Sequence, residues 1–228
     1  MDLDETEYLM KLEKLSIGYE EPLISNINLT IYPGQIISII GASGIGKTTL
    51  LRTIAGLVSP LDGSVKLNIK PRGGLGYIPQ KLGLVHHASV RHNVGLGARA
   101  GTSFLEEPWT WGHRRGERTD LAIEQMGLTE KTNEPVRILS GGQQKRVATA
   151  RTLAQQPQLL LADEFLSELD EDNIQIVVES VVDFIKENGS AMILVEHNTE
   201  RAIQLSNRTF RLIEGELVEQ FSQGGEEE

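Results

Sequence analysis

The chain of 228 residues contains no cysteine. Without thiols it can build neither a disulfide framework nor a thiolate zinc or iron–sulfur centre. That composition suits a reducing compartment. Long apolar runs are missing too: the best stretch, Gln35 to Ile40, is of strand length, far short of the roughly 20 residues a membrane-crossing helix needs. If the protein works at a membrane, another chain is expected to supply the span. The start is acidic, with Asp2, Asp4, Glu5 and Glu7, where a secretory leader is basic and then apolar. The chain is therefore expected to stay in the cytoplasm. A basic surplus is the third absence. The formal net charge is −10, and the four acids just named plus Glu226, Glu227 and Glu228 account for seven of those charges, leaving the middle nearly balanced. Gripping nucleic acid takes a Lys or Arg for each phosphate neutralised, so nucleic acid is not an expected partner.

What is present is enough apolar material, 39%, to bury a core in one compact domain or a core with a subdomain. Short β-rich runs alternate with longer amphipathic ones. Strands are predicted over Tyr8 to Ile17, Ile27 to Ile31, Gln35 to Ile40, Ser64 to Ile69 and Leu75 to Ile78, and a helix over Lys47 to Ala55, closed by Gly56. Between Lys81 and Leu139 the texture turns helical, around Arg91 to Ala98 and Arg118 to Met126, with a Gly-, Pro- and Trp-bearing stretch between. Thereafter helix (Gln143 to Ala154), strand (Gln158 to Ala162), helix (Glu171 to Glu187) and strand (Ala191 to Val195) alternate, as in a parallel sheet covered by helices. The expected organisation is α/β: a core formed by residues 1–80 and 151–228, a mostly parallel sheet with helices and an antiparallel β edge, with a helical subdomain at 81–150 inserted. The segment Ser222 to Glu228 is polar and expected to be disordered.

The strongest chemical signal is Gly41-Ala42-Ser43-Gly44-Ile45-Gly46-Lys47-Thr48, between a predicted buried strand and a predicted helix. It is a full match to the phosphate-binding loop in the context that motif requires. Glycines let the backbone turn its N–H groups inward at phosphate oxygens, and the helix N-terminus adds a favourable dipole. Lys47 neutralises β and γ phosphates and the Thr48 hydroxyl ligates magnesium. Hydrolysis further needs a metal anchor and a group to orient water. Leu159 to Asp163 is an apolar strand ending in a carboxylate at the sheet edge where such folds bind ligands, and Glu164 follows it. A third motif, Leu139-Ser140-Gly141-Gly142-Gln143, precedes a helical run. Ser-Gly-Gly there is a good helix cap, and also a second anion site made of a hydroxyl and exposed glycine N–H groups.

This set resembles the ABC family of ATPases, whose LSGGQ signature stands unmodified at 139–143, and the resemblance spans roughly Leu9 to Glu219. It implies ATP and Mg2+ as cofactors. By position, Tyr19 matches the aromatic that stacks on adenine, and Gly41 to Thr49, including Ser43, Gly44, Gly46, Lys47, Thr48 and Thr49, matches the triphosphate cradle. Gln80, in Tyr77-Ile-Pro-Gln80, matches the glutamine that reaches magnesium beside Thr48 and Asp163. Ser167-Glu168-Leu169-Asp170 matches the loop that crosses a dimer interface, and His197 the histidine that contacts the γ-phosphate. Glu164 matches the residue that polarises water. The family pattern implies two ATPase subunits packed head to tail, Ser140 to Gln143 of one covering ATP on the other. It also implies a membrane permease received near Leu82 to Val94. Two positions depart: Phe165 stands where proline is common, and Glu196 where a small hydroxyl residue is usual.

The run from Ser140 to Arg151, Arg91-His-Asn-Val94, and Trp109 and Trp111 are similar to importers of phosphonate-type anions. No C-terminal regulatory domain of the sugar- or methionine-importer kind follows, so regulation within the chain is not expected. A non-transport ABC ATPase working with a soluble scaffold is the alternative. The DNA-repair type, with its long insertions, does not suit a chain in which 97 residues lie between Gly41 and Leu139. His86, His87, His92 and His113 are irregularly spaced and suggest no metal site.

Overall fold

A computed structural model describes residues 8–101, 108–167 and 169–222. The expected disordered tail beyond Ser222, the acidic start, part of the stretch before α3 and Glu168 lie outside the described residues. In chain order the elements are β1 (Met10–Gly18), β2 (Pro22–Ile31), β3 (Ile36–Ile40), α1 (Lys47–Ile54), β4 (Asp62–Leu67), β5 (Leu75–Ile78), α2 (Val90–Ala100), α3 (Pro108–Gln125), α4 (Gly141–Ala154), β6 (Leu159–Asp163), α5 (Glu171–Asn188), β7 (Ala191–Val195), α6 (Thr199–Leu205), β8 (Arg208–Ile213) and β9 (Glu216–Ser222). Two compact units result. One holds the residues through Ile69, Leu159–Glu164 and those from Gly189 on; the other holds Lys70–Gln158 and Phe165–Asn188. The second of these is the helical unit, and it includes α5.

The first unit has two sheets. β2, β1 and β4 form an antiparallel sheet in that order, with Met10 opposite Ile31 on one side and Leu67 on the other. In the second, β6, β7, β3 and β8 run parallel and β9 closes the edge antiparallel. All residues of β3, β6 and β7 are buried, as a parallel strand covered on both faces requires. Full burial of each Val, Leu or Ile side chain is worth roughly 1.5–3 kcal/mol, which makes these strands a rigid support. Register then fixes what they present. Asp163 pairs with Val195, and Ile39 pairs with the same Val195. The ends of β3, β6 and β7 therefore align at one sheet edge, and backbone bonds continue past them, from Glu164 N to Val195 O at 3.1 Å and from Glu196 N to Ile39 O at 3.2 Å.

The second unit packs α2 against α4 so closely that a Cβ on Gly97 would stand 1.7 Å from the Arg151 carbonyl oxygen; only glycine fits. The loop before α2 is held by side chains. Buried Asn93 accepts from Val85 N (2.8 Å) and donates to Val85 O (3.1 Å) and Ser89 O (3.0 Å), while the Arg151 guanidinium donates to Leu82 O (2.6 Å) and Gly83 O (2.8 Å). No helix among the described residues is long and apolar enough to cross a membrane.

Candidate nucleotide site

The loop from Gly41 carries the chain from buried β3 into α1, whose N-cap is Gly46 in the left-handed region at φ +116°. A Cβ there would be strained and would press on Ile24 Cδ1 at 3.1 Å. Gly44 (φ +78°) curls the loop with nothing within 4 Å of the place a Cβ would take, so its exposed side is open to a ligand. Ser43 is exposed, whereas Thr49 points into the protein, 8% exposed.

Lys47 is 4% exposed, and its Nζ donates to Gly41 O and Ala42 O, each at 2.8 Å. Burial pulls its ammonium below the usual lysine range, and the nearby Glu164 and Asp163 carboxylates oppose that shift. A desolvated cation facing a glycine-lined cradle is stabilised by an arriving anion. Thr48 Oγ1 donates to Asp163 Oδ1 at 3.1 Å, with Asp163 1% exposed. A hydroxyl and a carboxylate at one point are hard oxygen donors, the set that holds magnesium together with phosphate oxygens. Beside them Glu164, at φ +52° in a region costly for a non-glycine residue, meets His197, with Oε1 2.6 Å from Nε2. Gly41 to Thr48, Asp163, Glu164 and His197 thus come together in the first unit. Tyr19 stands just past β1 and is 62% exposed.

The remaining residues singled out by sequence lie in the other unit. Ser140 and Gln143 form a reciprocal cap on α4: Ser140 Oγ accepts from Gln143 N (3.2 Å) and Gln143 Oε1 from Ser140 N (3.0 Å), with Gly141 exposed and Gly142 half-buried. Asp170 accepts from Asn173 N (2.8 Å) and Nδ2 (2.6 Å) at the start of α5. Lys145 Nζ donates to Ser167 O and, at 2.8 Å, to Ser167 Oγ, so the described ends of this loop are both pinned. Gln80 follows β5 and is exposed.

One residue the sequence marked only as a departure is part of the site's support. Glu196 is 5% exposed, with its Oε1 buried and without a hydrogen-bond partner, and it lies beside the backbone N–H groups of His197 and Asn198. Burial pushes its carboxyl above the ordinary range, against the pull of Arg201 and those N–H groups. A carboxyl raised in the folded state contributes stability below its unfolded pKa and loses it as pH rises through the raised value. Glu196→Gln, which keeps an acceptor, is expected to gain in Tm relative to wild type as pH rises from about 4.3, the ordinary glutamate value, through neutrality. A difference in thermal denaturation that stays constant over that range would count against this account. Burial at the end of β7 was the missing signal: the position follows an all-apolar strand, and nothing in the residue type reveals which way the side chain turns.

A glycine-rich loop joining a buried parallel strand to a helix, a loop lysine drawn into it and a hydroxyl–carboxylate pair together define a P-loop nucleoside triphosphatase. A family profile described as ABC transporter matches residues 24–167. The phosphonates import ATP-binding protein PhnC of Escherichia coli is 31% identical over 228 residues, covering 92% of this chain and 87% of its own, and that of Shigella dysenteriae is 32% identical with the same coverage. The chain belongs to the ABC transporter family and is an ATP-binding ATPase subunit of that kind. Among solved structures, the ATP-binding cassette MJ0796, dimeric in a post-hydrolysis state with ADP and Pi, superposes with TM-score 0.82 at 28% identity, covering 95% of this chain and 99% of its own. The cbiO1 subunit from Clostridium perfringens, part of the ABC transporter complex cbiONQ, gives 0.79 at 27%, with 93% and 87% covered.

Proposed function

We propose that this ATPase powers a membrane importer for phosphonate-type anions, as a head-to-tail dimer held by permease subunits at the cytoplasmic face of the membrane. The similarity to phosphonate import subunits over 92% of the chain carries the reading. In it, Lys47 turns from the loop carbonyls to the β and γ phosphates and Tyr19 stacks on adenine. Gly41, Ser43, Gly44, Gly46 and Thr49 line the triphosphate. Thr48 and Asp163 would hold magnesium, which when bound offsets phosphate charge. Glu164 orients the attacking water and His197 supports charge on the transferring phosphoryl group, so that catalysis rests on positioning and electrostatics. Ser140, Gly141, Gly142 and Gln143, with Asp170, complete the site of the second subunit. Residues 82–94 receive the permease.

The test is to purify the tagged chain from detergent-solubilised membranes of its own host and to follow uptake of labelled methylphosphonate. A membrane-embedded partner should co-purify, and deletion of the chain should abolish methylphosphonate uptake. Recovery of a soluble scaffold with no membrane protein overturns the transport reading, and unchanged uptake after deletion overturns the solute.

A further inference from the structure

A cavity of about 350 Å3 opens between α2 and α3, within the helical unit. Its walls come from facing stripes of the two helices: Arg91, Gly95 and Arg99 at intervals of four on α2, and Gly112, Arg115 and Gly116 one turn apart on α3. Glycine makes the room. A Cβ added at Gly112 or Gly116 would meet nothing within 4 Å, and at Gly95 only Thr119 Oγ1 at 3.8 Å, whereas on the α4 side of the same helix Gly97 has no space at all. The gap is therefore an opening and not a tight helix crossing.

Among the described residues its charge is of one sign: three guanidiniums line it and no carboxylate does, in a chain of net charge −10. Asp120 binds Arg91 from outside the lining, and Glu117 is turned to His113 at 3.0 Å. Arg91 also stands in the first turn of α2, a turn without an acidic residue, so the helix dipole adds to the positive potential there. Guanidinium forks match the oxygens of a tetrahedral oxyanion and hold them in pairs.

We propose that the α2–α3 cavity is a binding site for a small phosphate or phosphonate anion, separate from the ATP site. Because Arg91 belongs to the segment proposed to meet the permease, an anion held there ties α2 to α3 beside that surface. The site itself needs no permease, so its test is independent of the transporter reading.

The experiment titrates the full chain with inorganic phosphate and with methylphosphonate by calorimetry, with the ATP site saturated by a non-hydrolysable ATP analogue and magnesium. Saturable binding is expected. It should weaken by about 10–100-fold in the Arg99→Gln, Arg115→Gln double variant, the scale of one or two lost charge-assisted hydrogen bonds. Gly116→Leu, which fills the cavity and leaves every charge in place, should abolish it while basal ATPase activity is kept. Absence of saturable binding to wild type overturns the proposal. So does binding that survives both variants, or binding matched by chloride at the same ionic strength, which marks an adventitious ion only.

Discussion

Lys47→Ala is expected to lower ATP turnover by about 10²–10³-fold, the effect of deleting one preorganised donor aimed at developing phosphate charge. Lys47 Nζ is the ammonium within reach of the loop, bonded to both Gly41 O and Ala42 O at 2.8 Å. Its burial makes the charged form costly until an anion arrives, so the loss appears in nucleotide affinity as well as in the chemical step. Alanine removes the cation and leaves the glycine geometry of the loop and the cap at Gly46 in place, so circular dichroism should show a folded protein. Phosphate release and binding of a fluorescent ATP analogue are the measurements. Turnover within a few-fold of wild type, in the chain alone or with its membrane partner, would remove Lys47 from the site.

Glu164→Gln is expected to hold ATP while turnover falls about 10²-fold or more, the scale for losing a positioned base. Glutamine keeps the length of the side chain and its contact with His197 Nε2, now 2.6 Å from Glu164 Oε1, but lacks the carboxylate. If the γ-phosphate bridges the loop of one subunit to the Ser140–Gly142 helix end of another, slowed hydrolysis makes the closed pair accumulate. Size-exclusion chromatography should then show an ATP-dependent dimer for Glu164→Gln. Adding Ser140→Arg, which places a bulky cation at the cap where Ser140 Oγ accepts from Gln143 N, should return it to monomer. A double variant that still dimerises on ATP refutes the shared-site mechanism, and wild-type turnover in Glu164→Gln refutes the role of that carboxylate.

The sequence alone determined the parts whose chemistry is local. A loop whose φ values only glycine tolerates, a lysine at a set distance from it, a serine followed three residues later by glutamine, and all-apolar strands can each be recognised from neighbours in the chain. Strands β3, β6 and β7 and helix α4 fall within a residue or two of expectation for that reason. The hairpin of β8 and β9 and the short helix α6 went unread. The hairpin turns through Glu214 and Gly215, both at positive φ, a turn type for which Asn-Gly or Asp-Gly is the usual sign. Helix α3 begins ten residues earlier than the apolar periodicity suggests, since Gly112 and Gly116 interrupt the pattern. What only the tertiary structure decided is convergence. Thr48 and Asp163 are 115 residues apart and meet because parallel register aligns the ends of β3, β6 and β7 through Val195. The burial of Glu196, the contacts that hold Ser167 and Asp170 and the open basic cleft between α2 and α3 depend likewise on which faces pack, a property of contacts between segments that no single segment encodes.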